Sequence, residues 1–130
     1  MNSFNFTKWN TILGWGTFAI ALITYTLTLE PTVSYWDCGE YISTAVKLEV
    51  GHPPGAPLFQ MLGAFFAMFT SDVTEIAKMV NFMSALASAF TILFMFWTIT
   101  MLARKLVKKS SEISKSSSIA ILGSGVVGGL

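Results

Sequence analysis

The sequence predicts an all-α integral membrane protein, and three observations carry that prediction. Two uncharged stretches are each long enough to cross a bilayer: 21 residues between Lys8 and Glu30, and 25 between Lys78 and Arg104. Charged residues make up only 12% of the 130-residue chain against 53% hydrophobic ones, about half the charge of an ordinary soluble domain. The charges that remain are sorted by sign into different segments. A single cysteine, Cys38, excludes an intramolecular disulfide framework, and the absence of a concentrated basic surface argues against a nucleic-acid partner.

The first span is predicted over residues 9–29, which at about 1.5 Å per residue reach roughly 31 Å, the thickness of a bilayer core. It is too long for a signal-peptide core and lacks an A-x-A-like cleavage site, so a retained anchor is expected. Residues 30–78 form a long loop, and loops of that length are functional or disordered. Its aromatics, from Tyr35 and Trp36 through Phe69, speak against disorder.

Two helical patterns divide this loop. Over residues 36–50, Cys38, Tyr41, Ile42, Ala45 and Val46 make an apolar stripe, and Asp37, Glu40, Thr44 and Lys47 fall on another face, which predicts an amphipathic juxtamembrane helix. Residues 58–69 are apolar except Gln60 and too short to span, which predicts an interfacial, re-entrant or protein-buried helix. Between them Gly51-His52-Pro53-Pro54-Gly55-Ala56-Pro57 forbids regular helix and fixes a rigid turn. Ser71 or Asp72 is a candidate cap for the helix that follows.

The second span is predicted over residues 79–103, followed by a linker at 104–118 and an incomplete third span at 119–130. The last segment runs to the end of the sequence without flanking charge or aromatic anchor, as expected of the N-terminal part of a larger membrane protein. The linker carries Arg104, Lys105, Lys108, Lys109 and Lys115 against Glu112, whereas the loop carries six acids against Lys47 and Lys78. By the positive-inside rule the N-terminus and linker are cytoplasmic and the loop lies outside the cytoplasmic membrane. Gly14, Gly16, Ser84, Ser88, Gly125 and Gly129 suit helix–helix packing, and Asn81 either faces a polar cavity or bonds a neighbouring helix.

The candidate chemistry lies in the outer loop. Asp37 and Glu40 share a helix face at about 5–6 Å between Cβ atoms, beside interfacial Tyr35 and Trp36. Such a carboxylate can serve as a general base on a hydroxyl. Equally, Ser34-Tyr35-Trp36-Asp37 fits a capping box in which Asp37 merely satisfies a helix end. His52 can bind phosphate, move a proton or ligate a metal, or serve only as a structural residue of the turn. One histidine and no cysteine cluster make zinc improbable, and a divalent cation on Asp37 and Glu40 rests on two carboxylates alone.

The stretch from Leu29-Glu30-Pro31 through Ser34-Tyr35-Trp36-Asp37-Cys38-Gly39-Glu40, with Val50-Gly51-His52-Pro53-Pro54-Gly55-Ala56-Pro57-Leu58 after it, closely resembles a motif pair in bacterial multi-pass membrane proteins. That family, formerly a domain of unknown function, is grouped with the protein O-mannosyltransferases of the GT-C glycosyltransferase superfamily, and the likeness covers about residues 24–69. The resemblance implies a GT-C membrane domain that passes a mannose-like sugar from a polyprenyl-phosphate carrier to an acceptor hydroxyl of a protein or glycan outside the membrane. It places Asp37 at the acidic catalytic position with Glu40 as its companion. Trp36, His52, Pro53, Pro54 and Gly55 fall on the donor side. It further implies that this stretch alone is inactive and needs the remaining helices of a full-length protein. The rival expectations are a non-enzymatic docking module and half of a transporter. The spans hold no charged or broken helix of the kind a transporter needs.

Overall fold

The structure is a computed structural model that describes residues 4–110 and 114–130, the side chains at 109 and 110 excepted. It is all-helical, with no strand among the described residues: α1 Phe6–Leu27, α2 Cys38–Lys47, α3 Pro57–Ala67, a 3₁₀ turn Val73–Glu75, α4 Ile76–Ser110 and α5 Lys115–Gly129. Two of these helices are long and apolar enough to cross a membrane, α1 and the segment Val73–Lys108 that contains most of α4. The residues divide into two compact units, one of Met1–Thr24 with Ser88–Leu130 and one of Tyr25–Ala87.

In the first unit α1 starts three residues earlier than its uncharged stretch, because Asn5 Oδ1 accepts the Lys8 backbone N–H at 3.0 Å and caps the helix. It stops at Leu27 rather than at residue 29. Pro31 disfavours helical backbone at Glu30 just beyond. Helices α1 and α4 run antiparallel: the Arg104 guanidinium lies 4.8 Å over the Phe6 ring, Trp97 Nε1 reaches the Asn10 carbonyl at 3.4 Å, and Phe18 meets Phe90 at 4.8 Å. Close approach depends on small residues. A Cβ on Gly14 would sit 2.5 Å from Trp97 Nε1, and one on Gly125 of α5 would sit 2.6 Å from Thr100 Cγ2. Buried Thr17 and Thr100 satisfy their hydroxyls on their own helices, through the carbonyls of Gly14 at 2.8 Å and Trp97 at 3.1 Å. That is what an apolar surrounding requires of a polar side chain.

Charge alone set the predicted limit of the second span, and α4 extends past it at both ends, beginning at Ile76 and running through Arg104, Lys105 and Lys108 to Ser110. Lysine and arginine are good helix formers and no Gly or Pro intervenes, so the charges do not end the helix. The linker expected at 104–118 is accordingly shorter, and its part Ser111-Glu112-Ile113 lies outside the described residues. Helix α5 starts at Lys115 rather than at residue 119, because Ser114 Oγ accepts the Ser117 N–H at 3.1 Å.

The second unit packs α2, α3 and the first turns of α4 around Ile42, Val80 and Met83, with Phe59 and Phe66 against them. Gly63 brings α3 onto α2, since a Cβ there would stand 3.0 Å from the Cβ of fully buried Ala45. Helix α2 is shorter than the pattern at 36–50. It ends in a left-handed Leu48, with Leu48 N–H on the Ala45 carbonyl at 3.2 Å and Glu49 N–H on Thr44 at 2.8 Å. Pro57 takes the first position of α3, where its missing N–H is no loss, and α3 ends at Ala67 rather than at residue 69. Asp72, one of the two expected caps, accepts the Thr74 N–H at 2.9 Å. Asn81 resolves towards tethering: its Nδ2 donates to the carbonyls of Glu30 at 2.9 Å and Thr32 at 3.0 Å, fastening the start of the loop.

Candidate functional site

The site is built by α2 and the turn that follows it. Asp37 stands at the N-cap of α2 with its backbone at φ −78°, ψ 2°, and its side chain makes no capping hydrogen bond. The expected capping box does not form, because the helix starts at Cys38 and leaves Ser34 a full turn upstream. The Ser34 hydroxyl instead meets Cys38 Sγ at 3.1 Å. The Asp37 carboxylate is therefore not committed to the helix end.

One turn further, Glu40 reaches across to the Gly-Pro turn. Its Oε1 accepts the His52 backbone N–H at 2.8 Å and its Oε2 pairs with His52 Nδ1 at 2.9 Å. Both carboxylate oxygens thus hold one residue twelve positions away. The two hydrogen bonds from His52 keep the Glu40 carboxyl below the usual carboxylate range. The same contact raises the His52 pKa, first through the hydrogen bond to Glu40, then through the charge of Glu40 and, more weakly, that of Asp37. With Nδ1 fixed on Glu40, no described residue bonds Nε2, and the ring remains about half exposed. When protonated, a ring so held presents one N–H outward, a geometry suited to an anionic oxygen.

The turn is shaped to permit this clamp. A Cβ on Gly51 would lie 3.3 Å from Glu40 Oε1, so glycine leaves the carboxylate its room. Gly55 adopts φ +74°, a conformation that favours glycine. Thr44 Oγ1 donates to the Glu40 carbonyl at 2.8 Å and accepts from Gln60 Nε2 at 3.2 Å, which ties α3 to the turn of α2 that bears the site. The Tyr41 ring stands edge-on to His52 and Phe59, with centroids at 6.0 and 5.7 Å. Beneath lies a largely apolar cavity of about 360 Å³, lined by Cys38, Tyr41, Phe59, Asn81 and Ser84 among others.

The structure joins Glu40 and His52 through two hydrogen bonds, whereas the Asp37 side chain makes no capping bond and its charge acts only weakly on His52. Trp36 is almost fully exposed in a left-handed backbone conformation, and no contact ties its ring to these residues. Pro53, Pro54 and Gly55 act through the shape of the turn. Tyr41, Thr44, Gly51 and Gln60 support the clamp and were not singled out by sequence reasoning as site residues. The signal for Gly51 was its place directly before His52. Among the described residues no three His, Cys, Asp or Glu side chains gather as a metal site.

Residues 37–130 match the family described as the protein O-mannosyl-transferase TMEM260 N-terminal domain. The chain belongs to this family. Among curated relatives, protein O-mannosyl-transferase tmem260 of Dictyostelium discoideum is 36% identical over 83 residues, covering 63% of this chain and 10% of the relative. Protein O-mannosyl-transferase TMEM260 of Mus musculus is 35% identical over 82 residues, covering 63% of this chain and 12% of the relative. The chain therefore spans about a tenth of the length of these relatives. No solved structure matches it. The family match opens on Asp37 and includes Glu40 and His52. Both relatives come from eukaryotes and do not show the bacterial setting that the motifs suggested.

Proposed function

We propose that this chain is the N-terminal part of a GT-C-type membrane glycosyltransferase that moves a mannose-like sugar from a polyprenyl-phosphate carrier to a hydroxyl, on protein Ser or Thr, outside the cytoplasmic membrane. The observation that carries this reading is the Glu40 clamp on His52 beside an uncommitted Asp37, at the opening of a match to proteins named O-mannosyl-transferases. The excess of lysine and arginine in residues 104–118 supports a cytoplasmic N-terminus and an outward-facing site.

The chemistry asks little of the protein beyond alignment and a base. The acceptor oxygen attacks the anomeric carbon, the bond from that carbon to the phosphate oxygen breaks with its electron pair leaving on the phosphate, and the acceptor proton passes to Asp37. Glu40 is a positioning residue here, because both its oxygens are engaged by His52. It holds the imidazolium so that Nε2 meets the carrier phosphate. Later helices of the full-length protein would supply the rest of the carrier site.

The test is Asp37→Asn in the full-length enzyme, assayed with a lipid-linked mannose donor and an acceptor peptide. A positioned base contributes typically 10²–10⁴-fold, so the rate should fall by about that factor with protein level and donor affinity unchanged. His52→Ala should raise the donor KM more than the acceptor KM. Undiminished transfer by Asp37→Asn refutes the assignment.

A further inference from the structure

A second cleft lies within the unit formed by Met1–Thr24 and Ser88–Leu130, which contains none of the residues assigned to transfer. Its volume is about 460 Å³, and Phe6, Asn10, Trp97, Arg104, Lys105 and Lys108 contribute to its walls. Three cations open on it, and among the described residues no carboxylate pairs with any of them. The sequence explains why: this unit holds Lys8, Arg104, Lys105, Lys108, Lys109 and Lys115 against a single acid, Glu112. Arg104 is held by the face of Phe6 instead of by an anion.

Aromatic side chains, Phe6 and Trp97, line the same cleft. Unpaired cations with aromatic rings beside them match an amphiphile that carries a negative charge. We propose that this cleft binds the headgroup of an anionic phospholipid of the phosphatidylglycerol type, its phosphate on Arg104, Lys105 and Lys108. Basic pockets between membrane helices take lipid headgroups in this way, and each cation near the phosphate is worth about fivefold in affinity. The inference does not depend on the transferase reading, since none of its residues belongs to that site.

The experiment compares binding of phosphatidylglycerol and phosphatidylcholine to the full-length protein in detergent micelles, read by native mass spectrometry. Phosphatidylglycerol should be retained preferentially. The pair Arg104→Gln and Lys108→Gln together should weaken that retention at least tenfold. The pair Lys8→Gln and Lys115→Gln, which removes the same charge outside the cleft, should leave it nearly unchanged. Arg104→Lys keeps the charge, guards against a folding artefact and should retain most binding, and thermal melts by circular dichroism should match for all variants. Three results overturn the proposal: equal retention of the two lipids, equal weakening by both charge-removing pairs, or displacement of the lipid by inorganic phosphate alone, which would make the cleft a site for free phosphate.

Discussion

The two units of this chain are held together by different physics. Tyr25–Ala87 contains all four prolines and six of the seven acids, and its long-range contacts include directional polar bonds: Glu40 to His52, Gln60 to Thr44, and Asn81 to Glu30 and Thr32. The other unit has no proline, and its buried hydroxyls turn back on their own helices while Gly14 and Gly125 let bare backbone meet aromatic side chains. A segment at the membrane edge can pair charges through space, because both partners remain partly hydrated. A segment in hydrocarbon gains more from close contact. A change of volume should therefore damage one unit most, and a change of hydrogen bonding the other.

The sharpest break in that comparison is Gly125→Leu. Its first side-chain atom already collides with Thr100 and Phe96, so overpacking should lower stability by about 3 kcal/mol. Gly16→Leu, where nothing lies within 4 Å, should be close to neutral, and detergent-phase thermal melts distinguish the two. Equal melting temperatures would mean that α5 does not pack on α4 as described. Asn81→Leu removes two hydrogen bonds from the other unit and should cost about 2 kcal/mol. It should also speed amide exchange near Thr32, which mass-resolved hydrogen exchange reads directly. Asp72→Ala deletes a cap and should cost about 1 kcal/mol by the same melts.

The smallest effect on stability and the clearest in titration concerns Glu40 and His52. The His52 pKa is raised above its ordinary 6.5, so the pair's contribution is complete below that value and disappears as pH rises through the raised one. The Glu40 pKa is lowered from 4.5, so the contribution is present above that value and disappears as pH falls through the lowered one. The pair is thus strongest between about pH 4.5 and 6.5. His52 is the one histidine in the chain, so its ring signals in NMR are unambiguous. Glu40→Gln should bring its midpoint back towards 6.5, and a midpoint that stays in place would show that another group sets it.

Much of this was legible in the sequence. Charge gaps locate apolar helices because burying charge in lipid is costly, and the Gly-Pro run locates a turn because proline cannot continue a helix. Two things were not legible. Charge does not mark helix ends, so Arg104 to Lys108 read as linker although lysine and arginine favour helix. The pairing of Glu40 with His52 depends on how the chain folds back after Leu48, a left-handed residue that nothing in its side chain announces. Local spacing grouped Glu40 with Asp37 instead, and only the folded turn shows that its oxygens are occupied.

Helix α4 has a mechanical consequence of its own. Thirty-five residues make a rod of about 52 Å, against a hydrocarbon core of about 30 Å. Even a tilt of about 40° shortens its projection only to about 40 Å. Some of the rod must therefore stand clear of the hydrocarbon. Arg104, Lys105 and Lys108 ride on the rod near one end, so their mutual spacing is that of a helix surface and not of a loose tail. A patch of such fixed pitch can discriminate between anions of different shape, where a flexible run of the same charges would only attract them.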